Sequence, residues 1–289
     1  DFPTPACAKH AAIEAIQSDF THYTDSNGIP ELREAVADKF RRENGIRDAQ
    51  ASTVLVSCGA KHSIMNTLSA LCNPGDEVII PTPTWVSYVE IVKLAGGIPV
   101  YIHTKIENDF KFTGSDIKKA ITTKTKMLIY SSPCNPTGTV FNKAELKNIA
   151  DVIAANPDIF IISDEIYEHI NFIGKHESLA QFENIKEQVI TVNGVSKGFA
   201  MTGWRIGYIG APLWIAQACE KMQGQFTSGT CSIAQMAAME GIKANPSVTF
   251  EMRDAFKKRR DLVLGLLKEI PGLKTNVPDG AFYIFPDIS

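Results

Sequence analysis

Seven short runs of apolar and β-branched residues alternate with amphipathic stretches along most of this 289-residue chain. They lie at 53–57, 77–81, 98–103, 126–131, 159–163, 189–193 and 205–209. Runs that are apolar on both faces belong to strands covered from both sides, and the helical stretches between them supply the crossovers that parallel strands need. The alternation predicts an α/β fold: a three-layer α/β/α large domain around a mainly parallel, seven-stranded sheet.

The helical stretches carry their own signals. In 142–155, Leu146, Ile149, Ala150 and Ile153 fall on one helical face, and Asn142 with Glu145 makes a capping-box pattern at the start. Pro30 and Gly45 bracket another helix, with Leu32, Ala35, Val36 and Phe40 inward. The segment 248–270 reads as one long helix. Its stripe is Met252, Ala255, Phe256, Leu262, Val263, Leu266 and Leu267, interrupted by Arg259. A strand-like run follows at 281–285. We expect residues 1–245 to form the large domain, with 1–20 leading in from a segment outside the chain. Residues 246–289 are expected to be a linking helix and the start of a truncated, smaller α/β domain. The chain opens at Asp1 without a methionine, so an N-terminal targeting segment stays open as an expectation.

Composition narrows the function classes. Net charge is −3, and the largest basic cluster, Lys257–Arg260, sits in a helical pattern; neither points to a nucleic-acid surface. No apolar run approaches a transmembrane length. The six cysteines (7, 58, 72, 134, 219 and 231) form no C-x-x-C pair and fit no zinc spacing, so no metal site is expected. Scattered thiols in a chain this long point to a reducing, cytoplasmic location.

In an open α/β sheet, ligands bind beyond the carboxyl ends of the strands. The run 53–57 ends in Ser57-Cys58-Gly59-Ala60-Lys61 before a helix, a small-residue turn whose free N–H groups suit an anion. Beyond 77–81 stands Trp85, able to stack on a flat ring or to pack in the core. Beyond 126–131, two prolines around Asn135 stiffen the direction of its amide. The run 159–163 ends in Asp164-Glu165-Ile166-Tyr167. An acid straight after an apolar run is costly without a partner, either a helix N-terminus or a protonated ring nitrogen. Beyond 189–193 come Lys197, an amine that can condense with an aldehyde, and Arg205, whose planar fork suits a phosphate. Each residue also has an ordinary structural explanation; it is their succession at neighbouring strand ends that points to one ligand carrying an aldehyde, a ring nitrogen and a phosphate.

With these residues in place, the chain resembles the class I aminotransferases of the pyridoxal-phosphate fold type I family, and is most similar to bacterial aspartate aminotransferases. The resemblance rests on YTDSNGIPELR, TPTWVSY, SSPCNPTGTVF, ISDEIYEHI and SKGFAMTGWRIG, and runs from about Phe2 to Phe285. It implies pyridoxal 5′-phosphate as cofactor. Lys197 matches the Schiff-base lysine that later moves the proton, which requires a lowered lysine pKa. Asp164 matches the partner of the pyridine nitrogen. Tyr167 and Asn135 match the groups that hydrogen-bond the phenolic oxygen, with Asn135 also near the substrate carboxylate. Trp85 matches the stacking ring, and Arg205 with Gly59, Ala60 and Lys61 the phosphate cup. Tyr23 matches a tyrosine that reaches the neighbouring subunit's phosphate, implying a homodimer with shared sites. Lys61 also matches a reader of an acidic substrate's side chain. Bonds before Pro83 and Pro136 are expected to be cis. The arginine that grips the substrate α-carboxylate and the N-terminal lid are expected outside this chain.

The activity implied is ping-pong transfer of the amino group from aspartate to 2-oxoglutarate. Its alternatives are transfer involving prephenate or aromatic amino acids, a carbon–sulfur β-lyase on the same fold, and a non-enzymatic sensor carrying this domain. Amino acids and 2-oxo acids are the expected partners, with no nucleic acid and no membrane.

Overall fold

The computed structural model describes residues 2–288. Its centre is a seven-stranded sheet of β1 (Val54–Ser57), β2 (Glu77–Thr82), β3 (Ile98–His103), β4 (Thr125–Ser131), β5 (Phe160–Asp164), β6 (Val189–Gly194) and β7 (Gly207–Gly210). The spatial order is β1-β7-β6-β5-β4-β2-β3. Pairing is parallel from β3 through β2, β4 and β5 to β6, whereas β7 runs antiparallel to both β6 and β1. Every residue of β1, β4, β5 and β6 except Lys126 is buried, as strands covered on both faces must be.

Helices α1 (Ala6–Gln17), α2 (Pro30–Lys39), α3 (Ala60–Leu71), α4 (Val86–Leu94), α5 (Gly114–Ala120), α6 (Lys143–Ala154), α7 (Leu213–Phe226), α8 (Ser232–Lys243) and α9 (Phe250–Leu267) surround it. Alternate strand residues feed the two sides. Met127 and Ile129 of β4 pack with Ile64, Leu68 and Ile215 of α3 and α7. Leu128 and Tyr130 pack with Leu146, Ile149 and Ile153 of α6. A third cluster joins Val54, Val56 and Tyr208 to Leu32, Val36, Ala234 and Ala238 of α2 and α8. The three layers are those expected. The α6 capping box is formed, with the Ala144 and Glu145 amides donating to Asn142 Oδ1 and the Asn142 amide to Glu145 Oε2.

Three expectations are corrected. The run at 205–209 becomes a strand only at Gly207, because Arg205 has φ +57°, in the left-handed region, after a tight turn at Thr202–Trp204. Residues 281–285 form no strand. Ala281 has φ +57°, and the segment is held by its amide to Ile170 O (2.8 Å) and by Phe282 and Tyr283 packing edge-on to Tyr167. The helix expected at 248–270 is Phe250–Leu267, and the later part of its stripe is largely uncovered. Met252 is buried and Phe256 packs beside it, but Leu262, Val263 and Leu266 are exposed, while the off-stripe Leu264 is buried.

Candidate active site

The antiparallel placement of β7 decides what converges. Ser57, Gly194 and Gly207 lie in register, so the chain entering β7 stands at the same edge as the chain leaving β1 and β6. Arg205, two residues before β7, is thereby delivered to the carboxyl ends of the other strands. One cavity of about 300 Å³ opens there. Its walls include Ala60, Lys61, Trp85, Asn135, Asp164, Tyr167, Lys197 and Arg205, and thus most of the residues singled out in the sequence. Tyr23 stands apart, 96% exposed.

At one end, Gly59 has φ +86° and precedes α3, whose first amides lack intrahelical partners. A Cβ on Gly59 would come within 2.3 Å of Arg205 Nη2, and one on Gly207 within 2.2 Å of the Ala60 nitrogen. Only glycine therefore lets the guanidinium, the helix terminus and β7 close up together. Arg205 is oriented by donating to Thr202 O (2.9 Å) and Cys58 O (3.4 Å). Fixed donors with a positive helix end make an anion cradle.

At the other end lies Asp164, 3% exposed. Its Oδ2 accepts from the Tyr88 hydroxyl (2.7 Å) and its Oδ1 from the Ile166 amide (3.2 Å). Burial pushes the carboxyl up to about 6, and the neighbouring Glu165 charge adds to the rise, against the pull of those two donors and of the Lys197 charge. The Asp164 site thus lacks sufficient positive charge of its own. A cationic ring nitrogen would supply it, so the donor set fits pyridoxal phosphate at both ends.

Lys197 follows β6 in a turn and is half-buried, 5.6 Å from the ring centres of Tyr167 and Phe282. Burial holds its amine below the ordinary lysine value; Asp164 opposes this and Arg205 reinforces it. Lys61 lies over the Trp85 ring at 4.8 Å. The Tyr167 hydroxyl is 2.6 Å from the Tyr283 hydroxyl, which also accepts from Asn135 Nδ2 at 3.3 Å. Burial raises the Tyr167 pKa further above the tyrosine value, leaving a protonated hydroxyl at neutral pH. The bonds before Pro83 and Pro136 are cis, as expected, and so is Ser132–Pro133.

Two site residues were missed in the sequence. Tyr88 was within reach of inference, since a helix starting after Trp85 brings the residue three positions on to the same face. Tyr283 was not, because it arrives from coil more than a hundred residues after Asn135 and Tyr167. Among the described residues, no helix is long and apolar enough to cross a membrane.

The family model described as aminotransferase class I and II matches residues 1–289. The aspartate/prephenate aminotransferase of Cereibacter sphaeroides is 45% identical, the match covering 100% of this chain and 72% of that protein. The crystal structure of an aspartate aminotransferase from Rhizobium meliloti superposes with a TM-score of 0.96 at 40% identity, covering 99% of this chain and 72% of that one. An aromatic aminotransferase from Pyrococcus horikoshii superposes with a TM-score of 0.94 at 44% identity, covering 99% and 77%. With a matching family model, a common fold and a cavity suited at both ends to pyridoxal phosphate, this chain belongs to the class I and II aminotransferase family.

Proposed function

We propose that the cavity binds pyridoxal 5′-phosphate and that the enzyme transfers the amino group of aspartate to 2-oxoglutarate, giving oxaloacetate and glutamate. The observation that carries this reading is the convergence of Asp164, Lys197 and Arg205 on one cavity, with a cationic cradle at one end and an under-compensated buried acid at the other. When bound, the cofactor supplies an aldehyde carbon for the amino group and a ring that accepts electrons from the substrate α-carbon.

The chain's own residues do the rest. The first amides of α3 and the Arg205 guanidinium hold the phosphate, and Trp85 packs on the ring. Asp164 faces the ring nitrogen and favours a proton there, while Tyr88 and the Ile166 amide keep the carboxylate aimed. Tyr167 and Asn135 are donors to the phenolic oxygen. Lys197, with its amine held below the ordinary lysine value, is the base that takes the α-proton and returns it on the other side of the transfer. Lys61 reads the side-chain carboxylate of the donor, and Asn135 stands near the substrate carboxylate. Tyr23 reaches the phosphate of a neighbouring copy, making the working unit a homodimer. Residues 1–245 act as the cofactor-binding domain, and 246–289 begin a second, smaller one.

A second reading keeps the chemistry and takes prephenate or an aromatic amino acid. It is favoured by the Lys61–Trp85 stacking, which presents an apolar ring beside the ammonium, and by likeness to the aspartate/prephenate enzyme of Cereibacter and the aromatic enzyme of Pyrococcus. Steady-state assays of the complete enzyme with aspartate, glutamate–prephenate and aromatic donors separate the two. Turnover confined to aromatic donors sinks the aspartate assignment. Pyruvate and ammonia released from cystathionine without an oxo-acid acceptor would identify a β-lyase instead.

A further inference from the structure

The turn after β5 has a second, inward side. Asp164 and Tyr167 face the cavity, but Glu165 and Glu168 point away from it into a buried network. Glu165, 1% exposed, accepts four hydrogen bonds: from Ser163 Oγ (3.0 Å), Ser178 Oγ (2.7 Å), Asn44 Nδ2 (2.9 Å) and His176 Nε2 (2.9 Å). The donors come from β5, the loop before 179 and the last turn after α2, so this one carboxylate ties three segments to the turn that carries Asp164.

The surrounding charges form one cluster, in which Asn44 Nδ2 donates to both Glu165 (2.9 Å) and Glu168 (2.8 Å). Lys39 of α2 pairs with Glu168, donates to Asn44 Oδ1 (2.8 Å) and lies 3.9 Å from Glu43. His169 bridges Glu43 (3.0 Å) and Glu168 (3.4 Å). Glu168 is held down at about 2: burial opposes ionisation, but the Lys39 charge overrides it. His176 also lies near Glu168, but its direct contact, at 2.9 Å, is with Glu165. Burial alone would lower the His176 pKa, and the Lys39 charge acts the same way, yet the Glu165 carboxylate, with Glu168 behind it, lifts the imidazole above its ordinary value.

We propose that Glu165 and His176 form a buried charge pair that positions the Asp164–Tyr167 turn and sets the electrostatic potential felt by the cofactor end of the site. Glu165 is the residue next to Asp164, and its charge opposes ionisation there; His176 on its far side compensates that charge. Both are positioning residues, acting through Asp164 without touching ligand. The inference rests on the cofactor reading given above.

The test uses the complete enzyme loaded with pyridoxal phosphate and reads the pH midpoint of the bound cofactor's visible absorbance, which reports how strongly the surroundings favour a proton at the Lys197 nitrogen. Glu165→Gln, made in the His176→Gln background so that no histidine proton leaves with it, removes a negative charge and lowers the midpoint. His176→Gln keeps a neutral donor, removes a positive charge and raises it. Each shift is expected to be roughly half a unit to one unit, as for a unit charge on the order of 10 Å away in a partly polar interior. Loosened packing alone would not give opposite signs. In the cofactor-free protein, the His176 imidazole followed by NMR titrates above an ordinary histidine, and falls in Glu165→Gln. Absent shifts, shifts of one sign in both variants, or a wild-type His176 that titrates below the ordinary value would overturn the pairing. If Glu165→Gln does not fold, the His176→Gln midpoint and the wild-type imidazole titration decide the matter. Wild-type enzyme that retains no cofactor after borohydride sinks the reading of the cavity, and this inference with it. Retention with unshifted variants sinks this inference alone.

Discussion

Replacing Asp164 with asparagine is expected to make the cofactor-free protein more stable at neutral and alkaline pH while disabling the enzyme. The folded-state pKa of Asp164 is about 6 against an unperturbed 3.8, with burial the main cause. A raised acid pKa means that the folded state holds the proton more tightly than the unfolded chain. Its stabilising effect is complete below the unfolded value and disappears as pH rises through the folded one. The difference is about two units, and at about 1.4 kcal/mol per unit the ionised carboxylate costs the fold on the order of 3 kcal/mol above pH 6. Asparagine avoids that cost and can keep the contacts. Its Oδ1 still accepts from the Ile166 amide, and its Nδ2 donates to Tyr88, whose hydroxyl can turn from donor to acceptor. Urea unfolding of the cofactor-free forms from pH 4 to 8 is the assay. We expect near-equal stability at pH 4 and an advantage for Asp164→Asn that grows through pH 6 to about 3 kcal/mol. The same variant, loaded with pyridoxal phosphate, should lose roughly two or more orders of magnitude in kcat, since a neutral amide cannot hold a proton on the ring nitrogen. A variant no more stable than wild type at pH 8, or an advantage that does not shrink on acidification, would refute the claim that Asp164 is a strained charge awaiting a cation.

Other substitutions read the remaining parts of the site. Lys197→Ala should leave the fold intact and abolish covalent retention of cofactor after borohydride, checked by intact-protein mass spectrometry. Tyr88→Phe removes the 2.7 Å donor to Asp164; a lost hydrogen bond to a buried charge is worth roughly 1.5–3 kcal/mol, so the cofactor-free variant should lose about that much stability at neutral pH in urea unfolding. Gly59→Ala forces a side chain into φ +86° and against Arg205, and should weaken cofactor binding while Arg205→Lys weakens it by a separate route. Lys61→Gln should raise KM for aspartate about tenfold or more with little change for aromatic donors; equal effects on both would remove Lys61 as the side-chain reader.

The sheet was legible because burial on two faces leaves a plain mark. Six of the seven strands lie within a residue of the runs read from apolar, β-branched composition, and the seventh starts two residues late only because Arg205 adopts a left-handed conformation. What periodicity does not carry is direction. Nothing in the run at 205–209 says that β7 is antiparallel, yet that reversal is what brings Arg205 to the edge where Lys197 and Asp164 already stand. The stripe of α9 failed for a related reason: apolar spacing shows that a helix has a face to cover, without showing which part of the described chain covers it. Leu262 and Leu266 keep that face exposed here, whereas Met252 is packed under Ile166 and Ile170. Tyr283 left no local signal because its contacts with Asn135 and Tyr167 exist only after the coil at 279–283 has been laid along the Tyr167–Phe172 turn.

Asp164 and Glu165 show how far a sequence rule about buried acids can go. Both follow the same apolar run, and both are almost fully buried, so the rule that such an acid needs a partner holds for each. Side-chain direction then separates them. Glu165 turns inward and finds four donors, including a histidine that its own charge keeps protonated more readily. Asp164 turns to the cavity and finds two donors, a second acid at its back, and a lysine whose own pKa is depressed. The first acid is completed within the chain. The second is left short of positive charge within the chain, and a carboxylate held in that condition would bind a cationic ring more strongly than a satisfied one, because the folding free energy it costs would be recovered on binding.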